Sequence, residues 1–82
     1  MKYSIEFKPQ ALKDAKRIPK QQLRRIFDRL EKLSDGLSGD VKRLTNFTPE
    51  YRLRVGSYRI LFEIQGSSII IYRILHRKDA YK

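Results

Sequence analysis

YRLRVGSYRILFEIQGSSIIIYRILHRKDAY, residues 51–81, consists of three alternating runs separated by Gly56-Ser57 and Gly66-Ser67. Each Gly-Ser pair fits a two-residue hairpin of type II′, whose first central position needs the positive φ that glycine adopts without steric cost. Such a turn fixes the register. With Val55 opposite Tyr58, Arg54 faces Arg59, Leu53 faces Ile60, Arg52 faces Leu61 and Tyr51 faces Phe62. Side chains alternate along a strand, so one face collects Arg52, Arg54 and Arg59. The other collects Leu53, Val55, Tyr58, Ile60, Phe62 and Ile64.

Carried across the second turn without interruption, the same alternation sets Ile70, Tyr72, Ile74 and His76 on the arginine face, with Ile69, Ile71 and Leu75 on the apolar face. Arg73 is the misfit, because it falls among the apolar residues. Either its guanidinium snorkels out at an edge or the register of the last run is off by one. A sheet with one apolar and one basic face asks for helices behind it and an anion in front. Arginine directly opposite arginine costs up to about 1 kcal/mol, and a bound polyanion is the simplest compensation.

Upstream, Tyr3, Ile5 and Phe7 alternate with Lys2, Ser4 and Glu6, which reads as a half-buried first strand. Pro9 suits the first turn of a short helix over Gln10 to Ile18, with Leu12, Ala15, Ala11 and Ile18 on one side. Pro19 opens a second helix, where Leu23, Ile26, Phe27, Leu30 and Leu33 form an i, i+3, i+4, i+7 stripe. The charged residues on its far side read as a solvated outer surface. A loop through Ser34-Asp35-Gly36 to Gly39 follows, then a brief extended piece at Val41 to Leu44 and a turn region over Thr45 to Glu50. The order is strand, helical hairpin, then a three-stranded antiparallel meander. This is an α+β domain spanning residues 1–82, with both helices covering the apolar face.

The chain has 82 residues, no cysteine, and 19 Lys and Arg against 9 Asp and Glu, for a net charge of +10. Disulfides and thiolate metal sites are thereby excluded. No apolar run is long enough to cross a bilayer, and the N-terminus lacks a signal-peptide pattern, so the expectation is a cytoplasmic protein. The charge favours nucleic acid, an anionic membrane surface or an acidic protein, without choosing among them. No Gly-rich phosphate loop, metal-ligand cluster or Ser/His/Asp arrangement is present, so no cofactor or metal is expected.

The succession YRLRVGSYRILFEI followed by IIIYRILHRKDAY resembles the RelE/ParE superfamily of bacterial and archaeal toxin modules, and the RelE side more closely. The resemblance implies a ribosome-dependent endonuclease that cuts messenger RNA in the decoding site and so inhibits translation. It also implies a cognate RelB-like antitoxin, assembled with the toxin as a heterotetramer. Arg52 and Arg54 match the basic positions before the turn, Arg59 the arginine after it, Arg77 the terminal arginine and Tyr81 the near-terminal tyrosine. Some relatives carry lysines where this chain has Arg52 and Arg54, and a guanidinium does not give up a proton near neutral pH. The alternative within the superfamily is a ParE-like toxin that inhibits DNA gyrase and cleaves nothing.

Metal-free cleavage of RNA uses the 2′-hydroxyl as nucleophile. It needs a base, a cationic group for the phosphorane and an acid for the leaving 5′-oxygen. Arg59 and Arg54 suit the charge-stabilising task, because guanidinium binds phosphate bidentately. Arg52 and Arg77 share it. Histidine is the usual side chain for proton transfer near neutral pH, so His76, the only histidine, is one candidate base; Glu63 and Glu50 are the others. Tyr81 is placed to donate a proton or stack on a base. Arg54, Arg59, His76, Arg77 and Tyr81 therefore form the candidate catalytic set, and Arg52, Tyr72 and Lys78 the candidate RNA-binding set.

Overall fold

Both Gly-Ser turns form as the sequence requires. Gly56 and Gly66 have φ of 58° and 60°, and neither following serine has a positive φ, which makes the turns type II′ rather than I′. The computed structural model describes residues 2–44 and 49–78. Along them run β1 (Ser4–Phe7), α1 (Pro9–Lys16), α2 (Lys20–Ser34), β2 (Val41–Arg43), β3 (Tyr51–Val55), β4 (Tyr58–Gln65) and β5 (Ser68–His76). The five strands form one sheet in the order β1-β5-β4-β3-β2. The meander β3-β4-β5 is its centre, the brief extended piece becomes the edge strand β2, and β1 returns parallel to the start of β5.

The first hairpin has the expected register throughout, from Val55 opposite Tyr58 to Tyr51 opposite Phe62. The second begins as expected, with Gln65 opposite Ser68, Ile64 opposite Ile69, Glu63 opposite Ile70 and Phe62 opposite Ile71. It then shifts by one. Leu61 pairs with Arg73, leaving Tyr72 as an extra residue in a β-bulge, and Ile60, Arg59 and Tyr58 pair with Ile74, Leu75 and His76. The expected faces of the last four residues are thereby corrected. Ile74 joins the core at 3% exposure, Arg73 and Leu75 align with the arginine-face residues Leu61 and Arg59, and His76 aligns with Tyr58 on the helix side.

The physical reason for the bulge is Arg73. In an uninterrupted register it would lie opposite the fully buried Ile60, beneath the helices, where an unpaired guanidinium costs several kcal/mol. With the extra residue, Arg73 Nε and Nη2 instead donate to the Asp14 carboxylate at 2.7 and 3.1 Å. The Ile74 N–H donates to the same carboxylate at 3.0 Å. This happens along the part of β5 that β1 does not cover. Burial alone would raise the Asp14 carboxyl; the bonds from Arg73 and Ile74, the Arg73 charge and a bond from Gln10 outweigh it and hold the group below its ordinary value.

Asp14 also changes which face of α1 is buried. Ala11, Asp14 and Ile18 turn inward, at i, i+3 and i+7, while Leu12 is 50% exposed. In α2, Ile26, Leu30 and Leu33 are buried as expected, against a sheet face of Leu53, Val55, Ile60, Phe62, Ile69, Ile71 and Ile74. Each such side chain contributes about 1.5–3 kcal/mol through burial. Phe27, at the margin of the stripe, stays 45% exposed and meets Phe7 edge-on at 6.2 Å.

Removing either partner of the clamp has a defined cost. Arg73→Ala strands a carboxylate that is only 6% exposed in Asp14 and should lower the unfolding free energy by about 3 kcal/mol in urea titrations. Asp14→Asn should cost less, since its amide oxygen still accepts from Ile74. A depressed carboxyl stabilises the fold fully above its ordinary 3.8 and loses that contribution as pH falls through the lower folded value. Below about pH 4, wild type should therefore lose stability more steeply than Asp14→Asn; parallel curves would contradict the assignment.

Candidate nucleic-acid interface

The face of the sheet turned away from the helices is built by alternation. It carries Lys42 from β2, Arg52 and Arg54 from β3, Arg59, Leu61 and Glu63 from β4, and Ile70 and Tyr72 from β5. Arg54 and Arg59 are directly opposite each other. The Arg54 N–H donates to the Asp40 carbonyl at 3.0 Å, so its backbone bonds point away from β4 and the pair is of the non-hydrogen-bonded kind, in which side chains lie closest. The two cations are kept apart by other partners. Arg54 Nε donates to Asp40 Oδ2 at 2.8 Å, and Arg59 Nη1 folds back on the turn, donating to the carbonyls of Gly56 and Tyr58 at 3.2 and 3.1 Å. Asp40 and the turn carbonyls thus supply the compensation that the sequence reading assigned to a polyanion.

Arg52 is not outward-looking as the alternation suggests. It sits between Lys42 and Leu61 in the register and is 8% exposed. Among the described residues, Arg52 Nε and Arg59 Nε are buried without a hydrogen-bond partner. A donor in that condition costs about 1–3 kcal/mol. An anion brought to this face therefore meets guanidinium groups already stripped of part of their water.

Farther along the same face, the Tyr72 phenol donates to Glu63 Oε2 at 3.1 Å. That bond first, and then partial burial, holds the phenol above its ordinary value. Lys8 Nζ stands 5.3 Å from the Tyr72 ring centroid, its backbone held by a 2.8 Å bond from its N–H to the Ile71 carbonyl. The bulge residue is thus the aromatic of this face among the described residues. Glu50, the other acid considered as a base, lies just before β3 and reaches Arg43 at 3.6 Å.

Arg77 follows β5, and its N–H donates to the Ser57 carbonyl at 2.7 Å, which ties it to the same turn that holds the Arg59 guanidinium. Lys78 is next, its N–H donating to His76 Nδ1 at 3.3 Å. His76 does not share the arginine face. Its ring meets Tyr58 edge-on at 5.4 Å, in a recess of about 360 Å³ lined also by Asp14, Arg17 and Arg73. The bulge is the cause, since an odd insertion inverts every side chain beyond it. Tyr81 lies outside the described residues.

The sheet therefore brings together Arg52, Arg54, Arg59 and Tyr72, ties Arg77 by its backbone to their end of the sheet, and excludes His76. Sequence reasoning missed Asp14, Asp40 and Lys8. Asp14 had a signal, an acid at i+3 and i−4 from the apolar Ala11 and Ile18, matched by the lone basic misfit Arg73. Asp40 and Lys8 sit in connections, where alternation has nothing to say.

The chain matches the model of a family described as ParE toxin of type II toxin-antitoxin system, parDE, over residues 5–81. It is 37% identical over 75 residues to Toxin RelE3 of Methanocaldococcus jannaschii, covering 85% of each chain. Its fold is similar to the RelB-RelE antitoxin-toxin complex of Methanococcus jannaschii, with TM-score 0.78, 35% identity and coverage of 93% and 94% of the two chains. It is similar also to the archaeal RelE-RelB complex of Pyrococcus horikoshii, with TM-score 0.78, 25% identity and coverage of 98% and 100%.

Because Arg54 and Asp40 are both about half exposed at the side chain, their ion pair is worth little to the fold. Asp40→Asn should change the unfolding free energy by less than about 1 kcal/mol. It should nevertheless tighten binding of a polyanion such as poly(U) and steepen the dependence of log affinity on log salt by about one charge. An unchanged slope would mean that Arg54 does not belong to an anion-binding surface.

Proposed function

This chain belongs to the RelE/ParE superfamily of type II toxin-antitoxin toxins, on its RelE side, and from that membership we propose that it is a ribosome-dependent endonuclease of messenger RNA. The observation that carries the reading is the arrangement of Arg52, Arg54 and Arg59 on one sheet face, two of them with buried Nε atoms that have no partner among the described residues. A binder of neutral surfaces gains nothing from such groups; a phosphorane gains a desolvated, bidentate cation.

In the proposed reaction the 2′-oxygen attacks the adjacent phosphorus, its proton leaves to a base, and the bond from phosphorus to the 5′-oxygen breaks. The products are a 2′,3′-cyclic phosphate and a 5′-hydroxyl. Arg59 stabilises the charge on the non-bridging oxygens. Arg54 supports it from the opposite strand once phosphate competes with Asp40. Arg52 acts from beneath, and Arg77 at the turn orients the backbone. Tyr81 is assigned the proton for the leaving oxygen by the family resemblance. His76 has no part in this, since it faces Tyr58 and the helices.

Two of the folds it resembles are solved as complexes of RelE with RelB, and a RelB-like antitoxin is the partner proposed here. An acidic antitoxin segment suits a chain of net charge +10. The second reading, a gyrase inhibitor without nuclease activity, draws support from the ParE description of the matching family model.

Toxin added to programmed ribosomes, followed by primer extension on the message, separates the two. Cuts confined to the decoding site are expected, and Arg59→Ala should slow them by about 10²–10³-fold while still binding antitoxin. An intact message beside inhibited gyrase would overturn the nuclease reading.

A further inference from the structure

The geometry points to a nucleobase-reading site formed by Tyr72, Glu63 and Lys8, with guanine as the base it takes. The inference rests on the sheet face being an RNA-binding surface, and it adds which part of that face reads sequence.

Glu63 is the starting point. It lies on the same face of β4 as Arg59, four residues and so roughly 13 Å farther along the strand. A carboxylate there repels phosphate, and so weakens the attraction that the arginines provide. Neutralising a neighbouring arginine would explain it, yet among the described residues Glu63 forms no ion pair. Its partner is the Tyr72 phenol, which occupies Oε2 and orients the group. A carboxylate accepts at both oxygens, so Oε1 and a further lone pair on Oε2 are available to a ligand that donates. In RNA the bases supply N–H donors, and base contacts are the ones that specify sequence, while phosphate contacts position the chain.

The three groups together select among the bases. The Tyr72 ring offers a stacking surface, which every base accepts, once the base displaces the Lys8 ammonium that stands over it. A carboxylate accepting from two adjacent donors fits the N1–H and N2–H₂ edge of guanine. Adenine, cytosine and uracil each set their donor beside acceptors on that edge, which a carboxylate repels. Lys8, 5.3 Å from the Tyr72 ring centroid, supplies a donor for O6 and N7, the acceptors that distinguish guanine. The bulge puts the site together, because Tyr72 is the extra residue and its ring leans across β4 to Glu63.

The test uses the full chain and four 2′-O-methyl trinucleotides, UGU, UAU, UCU and UUU, which cannot undergo attack by the 2′-oxygen. Binding is followed through the ring resonances of Tyr72. UGU should bind about tenfold more tightly than the other three, and Glu63→Gln should bring that ratio close to one. Tyr72→Leu, titrated through the backbone amide resonance of Glu63, should weaken all four. Equal binding of the four by wild type, or a guanine preference that survives Glu63→Gln, would overturn the inference while leaving the nuclease reading intact. Equal tightening of all four in Glu63→Gln, with the ratio kept, would likewise overturn it by making Glu63 a general electrostatic penalty. Guanine discrimination in a protein that leaves ribosome-bound message uncut would sustain this site and remove the nuclease. Failure of every trinucleotide to shift Tyr72 would overturn the site itself, whatever happens on the ribosome.

Discussion

One buried carboxylate holds the arrangement together. Asp14 accepts two hydrogen bonds from Arg73 and one from the backbone of Ile74, and this set goes with a last strand shifted by one residue. The alternative would press a guanidinium into the layer occupied by Ile60, Ile71 and Phe62, all fully buried. An ion pair of this kind does not have to be strongly stabilising in total; its effect is to make the competing register far worse. The sheet then acquires two chemically distinct faces, with isoleucine replacing arginine in the core and tyrosine left over on the outside.

That division explains why the cationic face can exist. Arg54 and Arg59 stand opposite each other with no lasting penalty because Asp40 draws one sideways and the turn carbonyls draw the other back. The Asp40 tether is half exposed, and the Arg59 tether is exposed at Gly56 and partly buried at Tyr58, so the first is exchanged for phosphate oxygens at the lower cost. Arg52 differs, being sunk between its neighbours at 8% exposure, where it acts as fixed charge beneath the surface rather than as a mobile arm. The face thus grades from a cationic end at the first turn, where Arg77 is also tied, to an aromatic and acidic end at Tyr72 and Glu63.

Much of this was legible in the sequence, and the part that was not has a specific cause. The two Gly-Ser pairs define the first hairpin residue by residue, since a two-residue turn admits one register. The helices follow from the spacing of Ile26, Leu30 and Leu33, and from Pro9 and Pro19. What alternation cannot reveal is an inserted residue, because a bulge breaks the very period being counted. It left a trace in Arg73, which fell among the apolar residues where a cation does not belong, and a second in Asp14, which fitted no apolar stripe; the two residues are 59 apart in the chain. His76 was misplaced for the same reason, so the residue chosen most directly for its chemistry was the one the backbone moved. Arg52 and Arg54 were placed correctly by face, but their burial and pairing depend on β2 and its approach, which carry little sequence signal.

The position of the bulge is open to direct observation by cross-strand nuclear Overhauser effects in the free protein. With Tyr72 as the bulge residue, contacts are expected between the side chains of Arg59 and Leu75 and between those of Tyr58 and His76. Contacts of Arg59 with Ile74 and of Ser57 with His76 would mean an unbroken hairpin. That result would return the histidine to the arginine face and contradict the separation on which the rest is built.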